Sequence, residues 1–365
     1  MTRHILEPVE FKHLLYGRRD TVATITINRP DNRNALGTDT VKELRQAFDQ
    51  AKRDEAVRVI VLTGAGKVFC AGADLQGFKL EISELDRYFQ RRNLADLFLE
   101  MTELGKPTIA RVNGHALAGG FGLVAACDLA IASDSAQFGM PEVNVGVWPM
   151  MIMAIVFRNV PRKAGMELML TGKRIDAAEA ARIGVINRHV PAPQLDAEVD
   201  TLAGELAKKS PIGMRLGLEA FYRMQDMSFP SAIAYLQDQL ALLGLSEDLK
   251  EGVTAFFEKR EPRFTGKWAR PRPWIGSKSG RVTACRAGRA HCRPPPRWAW
   301  SRACWIVASA GSRPPRWCTQ NGCRSWLTRK RCWKRCRTAS TGCVCWSPTA
   351  AAWIAPARRA FATSR

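Results

Sequence analysis

The segment that most constrains the fold is residues 57–63, VRVIVLT, which is mostly apolar and β-branched. A run of this kind, ended by the turn residues Gly64-Ala-Gly66, predicts a strand covered on both faces. An earlier β-branched run at residues 21–28 predicts a second strand, which stops at Arg29-Pro30. This order of strand, helix and strand predicts an α/β fold. The helix between the two strands is indicated by apolar residues that recur at helical spacing, namely Val41, Leu44, Phe48 and Ala51.

Predicted strands and helices continue to alternate further along the chain, and the last predicted elements, from residue 195 to residue 259, are all helices. Thr40 and Glu43 have the spacing of a capping box near the start of the first helix. The further strands are predicted at residues 107–112 and 129–133, and the further helices at 119–127, 195–209, 229–243 and 248–259.

The formal charge of +21 is confined to one end of the chain. Residues 1–266 hold 33 Lys and Arg against 34 Asp and Glu, whereas residues 267–365 hold 22 Lys and Arg and no acid. The second segment also contains 9 of the 11 cysteines and 10 of the 11 tryptophans. A near-neutral body, long enough for a large core, therefore precedes a basic tail that has to be interpreted separately.

The body has the composition of an intracellular protein. Its two cysteines, Cys70 and Cys127, are too few for a disulfide framework. The first residues lack a basic stretch followed by an apolar one, so we expect no signal peptide. The longest apolar run, residues 148–157, is too short to span a bilayer. We therefore expect a reduced, cytoplasmic protein with no membrane partner.

The tail, residues 267–365, has no acids and no hydrophobic periodicity, so it cannot build an ordinary core. Its cysteines, Cys332 and Cys336 among them, lack a consistent metal-ligand spacing, and no metal site is predicted. Our preferred interpretation is that residues after about Gly266 are disordered or the product of a frameshift. In the alternative interpretation the arginines and tryptophans bind RNA, although nucleic acid is not the expected partner.

Two short segments carry the groups of a catalytic site. Residues 111–122, RVNGHALAGGFG, place Gly119 and Gly120 directly before an apolar helical stretch. Backbone amides at such a helix start, together with the helix dipole, favour an anion. Residues 138–146, FGMPEVNVG, place the carboxylate of Glu142 among apolar neighbours. Burial there would raise the pKa of Glu142 towards neutrality, as a general acid or base requires. The alternatives are packed tight turns and a surface glutamate.

Together with residues 69–75, FCAGADL, these segments resemble the three motifs of the crotonase family, also called enoyl-CoA hydratase/isomerase, in order and spacing. The resemblance covers about residues 10–266. It implies an α/β fold made of a crotonase-like spiral of ββα repeats, followed by a C-terminal helical oligomerisation region that forms homotrimers or homohexamers. The implied boundaries are 1–195 for the spiral core with the acyl-CoA site, 196–266 for the helical trimerisation region and 267–365 for the tail.

The resemblance also assigns catalytic groups. The amides of Ala73 and Gly119 would stabilise the oxyanion of a thioester enolate, and Glu142 would serve as acid and base. Typical hydratases of the family carry a second glutamate where this chain has Gly122. A single glutamate is the arrangement of members that move a double bond between 3-enoyl and 2-enoyl thioesters, although many members with this departure are named hydratases. Isomerisation and hydration therefore stay open, with thioester hydrolysis as an alternative.

For the substrate, the resemblance implies a coenzyme A site. It implies no separate cofactor and no metal, since coenzyme A is part of the acyl-CoA substrate. Arg29 and Arg33 are both available for the phosphates, and the sequence does not choose between them. The other implied contacts are Ala35, Ala71, Asp74 and Leu75 for the adenine, and Lys259 for coenzyme A bound to a neighbouring subunit.

The acyl pocket is predicted at Trp148, Met150 and Met151, in a Met-rich stretch that replaces the glycine-rich one common in the family. Methionine suits an adaptable apolar wall, but the same run fits a core helix equally well. His115 is interpreted as a packing residue beside the glycines. Asp128, like Asp74, is a nearby carboxylate that also fits a structural role, so neither is assigned to catalysis.

Overall fold

Two β-sheets and their covering helices form the part of the chain described by the computed structural model, residues 10–74 and 83–269. These residues belong to the first of the two units into which the chain divides, Met1–Ile275. The prediction for Leu75 lies outside the described residues, and so does almost all of the predicted tail, residues 270–365.

The larger sheet has six strands, of which all but the first run in one direction. Its strands, in order across the sheet, are β1 (Leu14–Arg19), β2 (Val22–Ile27), β3 (Val59–Gly64), β5 (Thr108–Val112), β7 (Leu129–Ser133) and β10 (Arg188–Val190). β1 pairs antiparallel with β2, and each later pair is parallel. The four strands predicted from sequence are β2, β3, β5 and β7, and each is present within two residues of its predicted ends.

The smaller sheet has four short strands. In order across the sheet they are β4 (Val68–Cys70), β6 (His115–Leu117), β8 (Gln137–Gly139) and β9 (Arg174–Asp176). The first three are parallel, and β9 is antiparallel to β8. None of the four was predicted, because strands of three residues are too short to display a periodicity.

Helices cover both faces of the larger sheet and make up the C-terminal part. They are α1 (Thr38–Arg53), α2 (Glu84–Thr102), α3 (Gly119–Ala126), α4 (Met150–Asn159), α5 (Arg162–Thr171), α6 (Ala177–Arg182), α7 (Leu195–Ala207), α8 (Pro211–Met224), α9 (Phe229–Leu243) and α10 (Glu247–Glu258). The five predicted helices are α1, α3, α7, α9 and α10. Within residues 10–74 and 83–269, no helix is both long and apolar enough to cross a membrane.

The predicted capping box of α1 is wrong. The residue that caps the helix is Gly37, so Thr40 lies one turn inside it. The carboxylate of Glu43 does not reach back to the helix start. It accepts hydrogen bonds from the backbone amides of His13 at 2.8 Å and Lys12 at 3.3 Å, and thereby holds the chain segment that leads into β1. A contact made across 30 residues cannot be inferred from local spacing.

The strand predicted to be covered on both faces, β3, is fully buried. Ile60 and Leu62 point into the main core, which they share with α1. Val59 and Val61 point the opposite way, into a second cluster formed with α7. The alternation of side chains along the strand thus supplies two cores at once. The α7 side chains of the second cluster are Leu195, Val199 and Ala203.

The end of the described chain is fastened to α10. The buried carboxylate of Asp248 accepts a hydrogen bond of 2.8 Å from the amide of Thr265. Further on, the carbonyl of Lys267 accepts from the amide of Glu247, the first residue of α10, and the amide of Ala269 donates to the carbonyl of Leu245 in the turn before it, both at 2.9 Å. Contacts with the body therefore continue for three residues past Gly266, where the composition of the chain changes.

Candidate active site

Three strand ends meet at one edge of the smaller sheet. β4, β6 and β8 are parallel neighbours, with Cys70 opposite Ala116 and Leu117 opposite Gly139. The carboxyl ends of parallel strands lie at the same edge, which is where ligands bind in open α/β sheets. Each of the three predicted motifs contains one of these strand ends and the turn that follows it. The amide of Ala118 donates to the carbonyl of Gly139 at 2.9 Å, which joins two of the three turns.

Two backbone amides are available at this edge. Gly119 is the first residue of α3, and Ala73 lies in the turn after β4, where it forms an isolated bridge with Leu36. In the described part of the chain, neither the Ala73 nor the Gly119 nitrogen donates a hydrogen bond. The two turns are adjacent, because a β-carbon built on Gly119 would lie 3.9 Å from the nitrogen of Ala73. Two unpaired donors on adjacent turns, one of them at a helix start, suit an oxyanion.

The backbone around these amides is held in an unusual conformation. Ala118 has φ 50° and ψ −122°, outside the regions that residues with a side chain normally occupy. Gly72 has φ +94°, and a β-carbon on it would lie 2.5 Å from the β-carbon of Ala118. Only glycine therefore fits at position 72 beside Ala118. Strained turns of this kind persist where the surrounding structure fixes them, commonly at functional sites.

Glu142 occupies the third turn, in a short 3-10 helix, Pro141–Val145, that follows β8 and ends at Gly146. Its Oε2 atom is buried and has no hydrogen-bond partner within the described residues. Burial raises the pKa of Glu142 above its ordinary value of 4.5, and a hydrogen bond with its own backbone offsets part of that rise. An oxygen that is desolvated and unpaired is suited to accept a proton from a substrate.

Gly122 lies one helical turn after Gly119 and is buried. A β-carbon on Gly122 would stand 2.3 Å from Cγ2 of Ile152 in α4 and 3.2 Å from Cζ of Phe98 in α2. The space that a side chain would need is thus filled by two apolar groups. The sequence shows that position 122 has no second carboxylate. The structure adds that the packing around this position leaves no room for one.

The loop between β2 and α1 distinguishes the two arginines predicted for phosphate binding. The guanidinium of Arg29 is 16% exposed and pairs with Asp74, at 3.1 Å between Nη2 and Oδ2. Its Nη1 donates to the carbonyl of Ala35 at 2.8 Å. The side chain of Arg33 is exposed and forms no hydrogen bond or ion pair with any described residue. Arg29 therefore holds the loop together, and Arg33 is the arginine that remains accessible.

Asn34 is a structural residue of this loop that sequence analysis missed. It is fully buried in the left-handed region, with φ 55°. Its Oδ1 accepts from the amide of Arg29 at 2.9 Å, and its Nδ2 donates to the carbonyls of Ala65 and Val68 at 2.9 and 2.7 Å. The signal was present in the sequence, since asparagine is a common non-glycine residue in this conformation.

Three of the residues predicted to contact the adenine, Ala35, Ala71 and Asp74, lie at this loop or on the turn hydrogen-bonded to it. The amide of Ala71 donates to the carbonyl of Arg33 at 3.0 Å, and the amide of Asp74 donates to Leu36 at 3.1 Å. The prediction for Lys259 concerns coenzyme A bound to a neighbouring subunit. Lys259 caps the C-terminal end of α10 with φ 52°, is exposed, and its side chain makes no hydrogen bond with residues 10–74 or 83–269.

The three residues predicted for the acyl pocket differ in their surroundings. Trp148 is half-buried and packs against the main core, as does Met153. Met150, the first residue of α4, is 65% exposed, and Met151 is half-buried. The Met-rich stretch thus divides between core packing at Trp148 and Met153 and an accessible surface at Met150.

Two polar residues considered in the sequence analysis, Asp128 and His115, are held in structural contacts. The carboxylate of Asp128 accepts from the hydroxyl groups of Tyr222 and Thr108, at 2.6 and 2.7 Å. Nδ1 of His115 accepts from the amide of Gln137 at 3.2 Å, between β6 and β8. These partners agree with a structural role for Asp128 and a packing role for His115.

Comparison with known proteins places this arrangement in a family. Residues 17–267 match the family described as enoyl-CoA hydratase/isomerase. The short-chain-enoyl-CoA hydratase of Clostridium acetobutylicum is 34% identical over 259 residues, which cover 69% of this chain and 97% of that protein. The crystal structure of enoyl-CoA hydratase from Mycobacterium smegmatis is similar with a TM-score of 0.67 and 36% identity, over 69% of this chain and 98% of that one.

A second solved structure extends the likeness. Enoyl-CoA hydratase subunit I from Geobacillus kaustophilus is 39% identical with a TM-score of 0.67, over 71% of this chain and 100% of that one. The matches cover the relatives almost completely, and they confirm the predicted crotonase fold. This chain is therefore a member of the enoyl-CoA hydratase/isomerase family, the crotonases.

Proposed function

We propose that this protein acts on acyl-CoA thioesters and moves the double bond of a 3-enoyl thioester to the 2-position, with Glu142 as the group that transfers the proton. The observation that carries the proposal is the buried Oε2 of Glu142, which has no hydrogen-bond partner among the described residues. A carboxylate in this state is a stronger base than one in water, because burial disfavours its charge.

The reaction proceeds by one proton transfer out and one back. Glu142 takes a proton from C2 of the substrate, the C2–H electron pair forms a C1=C2 bond, and the C=O π pair moves onto the thioester oxygen. In the second step the oxyanion re-forms the C=O bond, the C1=C2 pair shifts to C2=C3, and the former C3=C4 pair forms a new C4–H bond. Glu142 returns the same proton to C4. Atoms and charge balance without water or a cofactor. Negative charge collects on the thioester oxygen between these two steps.

The amides of Ala73 and Gly119 are the donors for that oxygen. They lie on adjacent turns, and neither nitrogen donates elsewhere in the described part of the chain. A preorganised donor of this kind contributes about 3 kcal/mol to transition-state stabilisation. The conformation of Ala118 directs the start of α3 towards the turn of Ala73, which supports the pairing.

A single carboxylate favours isomerisation over hydration, because hydration also requires a water molecule to be held and activated. Gly122 offers no side chain for that task, and Ile152 and Phe98 fill the adjacent space. Hydration is the second candidate. It is favoured by the relatives from Clostridium acetobutylicum and Mycobacterium smegmatis, which are named enoyl-CoA hydratases.

The surroundings of the site complete the proposal. Arg33 contacts the phosphates of coenzyme A, and the loop of Ala35 together with the turn of Ala71 and Asp74 contacts its adenine. The apolar side chains exposed on α9 and α10 pack against neighbouring copies in a trimer or a pair of trimers, which brings Lys259 to coenzyme A of the next subunit. The site operates in the cytoplasm. The exposed apolar side chains on α9 and α10 include Phe229, Leu240, Phe256 and Phe257.

The experiment compares the purified protein on 3-enoyl-CoA and 2-enoyl-CoA at equal concentrations. We expect conversion of the 3-enoyl isomer at a rate well above hydration of the 2-enoyl isomer. Fast hydration without isomerisation would contradict the proposal and favour the second candidate.

A further inference from the structure

We propose that Ile152 determines which reaction this site performs, because with Phe98 it fills the space beside Gly122 and keeps that side of the site free of water. The inference rests on the proposed function, and it adds a specificity-determining residue that does not itself contact reacting atoms.

The geometry is that of a sealed helix face. Gly122 follows Gly119 by three residues on α3, which places it about 4.5 Å further along the helix axis. Residues three apart lie on one helix face. On that face, a β-carbon at position 122 would lie 2.3 Å from Cγ2 and 3.0 Å from Cβ of Ile152. A contact below 3.0 Å with a branched side chain in a packed core requires that side chain to move.

The two side chains that fill this space are themselves fixed. Ile152 is 3% exposed and Phe98 is 6% exposed, and both belong to the main core. They come from different helices, α4 and α2, so α3 is held between them. The volume beside Gly122 is therefore closed by apolar carbon from two directions, and a hydrating water would find no polar partner there.

Two unusual features of the sequence are in contact with each other in the structure. The chain has glycine at position 122, and it has a bulky Met-Met-Ile-Met stretch at residues 150–153. The structure places the third residue of that stretch directly against the glycine. Ile152 on α4 thus occupies the volume that a side chain at position 122 of α3 would need. Restoring a carboxylate at position 122 alone would produce a clash with Ile152 rather than a hydratase.

The packing of Ile152 against Gly122 is tested by a double-mutant cycle in which the Tm of each variant is measured. Gly122→Ala adds only a β-carbon, and we expect it to lower the Tm while Ile152 is present. In the Ile152→Gly background the same substitution should lower the Tm by less or raise it, because the clash with Ile152 is gone, alanine favours a helix over glycine, and only the 3.2 Å contact with Phe98 remains. Gly204→Ala in α7 is the matched control, since a β-carbon there would have no atom within 4 Å. The control should raise the Tm in both backgrounds.

The catalytic part is tested by the ratio of hydration to isomerisation. We expect the double variant Gly122→Glu with Ile152→Gly to raise this ratio at least about tenfold over wild type, while Gly122→Glu alone does not. Equal ratios in wild type and double variant, or a Gly122→Ala effect on Tm that is the same with and without Ile152, would overturn the role of Ile152. A wild-type protein that converts neither enoyl-CoA isomer would instead overturn the proposed function on which this role rests.

Discussion

The guanidinium of Arg29 is paired with the carboxylate of Asp74, with 3.1 Å between Nη2 and Oδ2. This ion pair ties the loop after β2 to the turn after β4, which carries the amide of Ala73. Arg33 lies four residues further along the same loop, with an exposed side chain that has no such contact among the described residues. Two arginines that are equivalent in the sequence thus have different surroundings in the structure.

We expect Arg33→Ala to raise the KM for acyl-CoA about tenfold or more, because a hydrogen bond to a charged phosphate contributes about 1.5–3 kcal/mol. Its Tm should remain close to wild type. Arg29→Ala should leave the KM close to wild type. It should lower the free energy of unfolding by about 1–3 kcal/mol, because the hydrogen bonds of Arg29 are lost. Enzyme kinetics and chemical denaturation measure the two effects, with the exposed Arg53→Ala as control. An unchanged KM for Arg33→Ala would contradict the assignment.

The burial of Glu142 makes a prediction about stability against pH. Because its folded pKa is raised above 4.5, folding favours the protonated form. This contribution is fully present below pH 4.5 and is lost as the pH rises through the folded pKa. Glu142→Gln removes the ionisation, so we expect the variant to gain stability relative to wild type as the pH rises from about 4 to 8. Thermal unfolding of both proteins over this range measures the difference. A constant difference in Tm would show that Glu142 is not desolvated.

The contact between Tyr222 and Asp128 predicts a stabilising role without a catalytic one. The hydroxyl of Tyr222 donates to Oδ1 of Asp128 at 2.6 Å and joins α8 to the start of β7. Tyr222→Phe should lower the free energy of unfolding by about 1.5–3 kcal/mol, while kcat and KM stay within a factor of about two of wild type. Urea unfolding and steady-state kinetics on the same preparation test this. A large fall in kcat at unchanged stability would assign Asp128 to the reaction after all.

The attachment of Lys267 and Ala269 to the start of α10 and the turn before it predicts where the chain can be shortened. A protein that ends at Ala269 keeps both backbone hydrogen bonds, and we expect it to retain full activity and Tm. One that ends at Gly266 loses them and should have a lower Tm. Loss of activity on truncation after Ala269 would contradict this expectation. Salt-sensitive RNA binding by the full chain but not by the shortened one would favour the RNA hypothesis.

Much of the fold was predictable because its signals are local. The β-branched run that became β3 and the apolar spacing of α1 each identify an element without reference to the rest of the chain. The strands of the smaller sheet are too short for such a signal. In contrast, α8 was missed although its sequence carries the signals of a helix start. Ser210 caps α8 by accepting from the amide of Gly213 at 3.0 Å, and Pro211 follows it.

The sequence indicated which residues to expect at the site, but not the contacts that they make. The three motifs indicated Ala73, Gly119 and Glu142, whose turns the structure places at adjoining strand ends. That Arg29 is engaged by Asp74, and that Ile152 fills the space beside Gly122, depends on contacts across 45 and 30 residues of chain. Such contacts follow from the packing of whole elements, which no local pattern encodes.

The central claim is that Glu142 shuttles a proton within an acyl-CoA thioester. The most direct measurement is product analysis by mass spectrometry after incubation of 3-enoyl-CoA in H₂¹⁸O, with wild type and Glu142→Gln side by side. The account predicts 2-enoyl-CoA without ¹⁸O, formed about 10²–10⁴-fold more slowly by the variant. Products that consist of ¹⁸O-labelled 3-hydroxyacyl-CoA or ¹⁸O-labelled free acid, or a variant as fast as wild type, would contradict it.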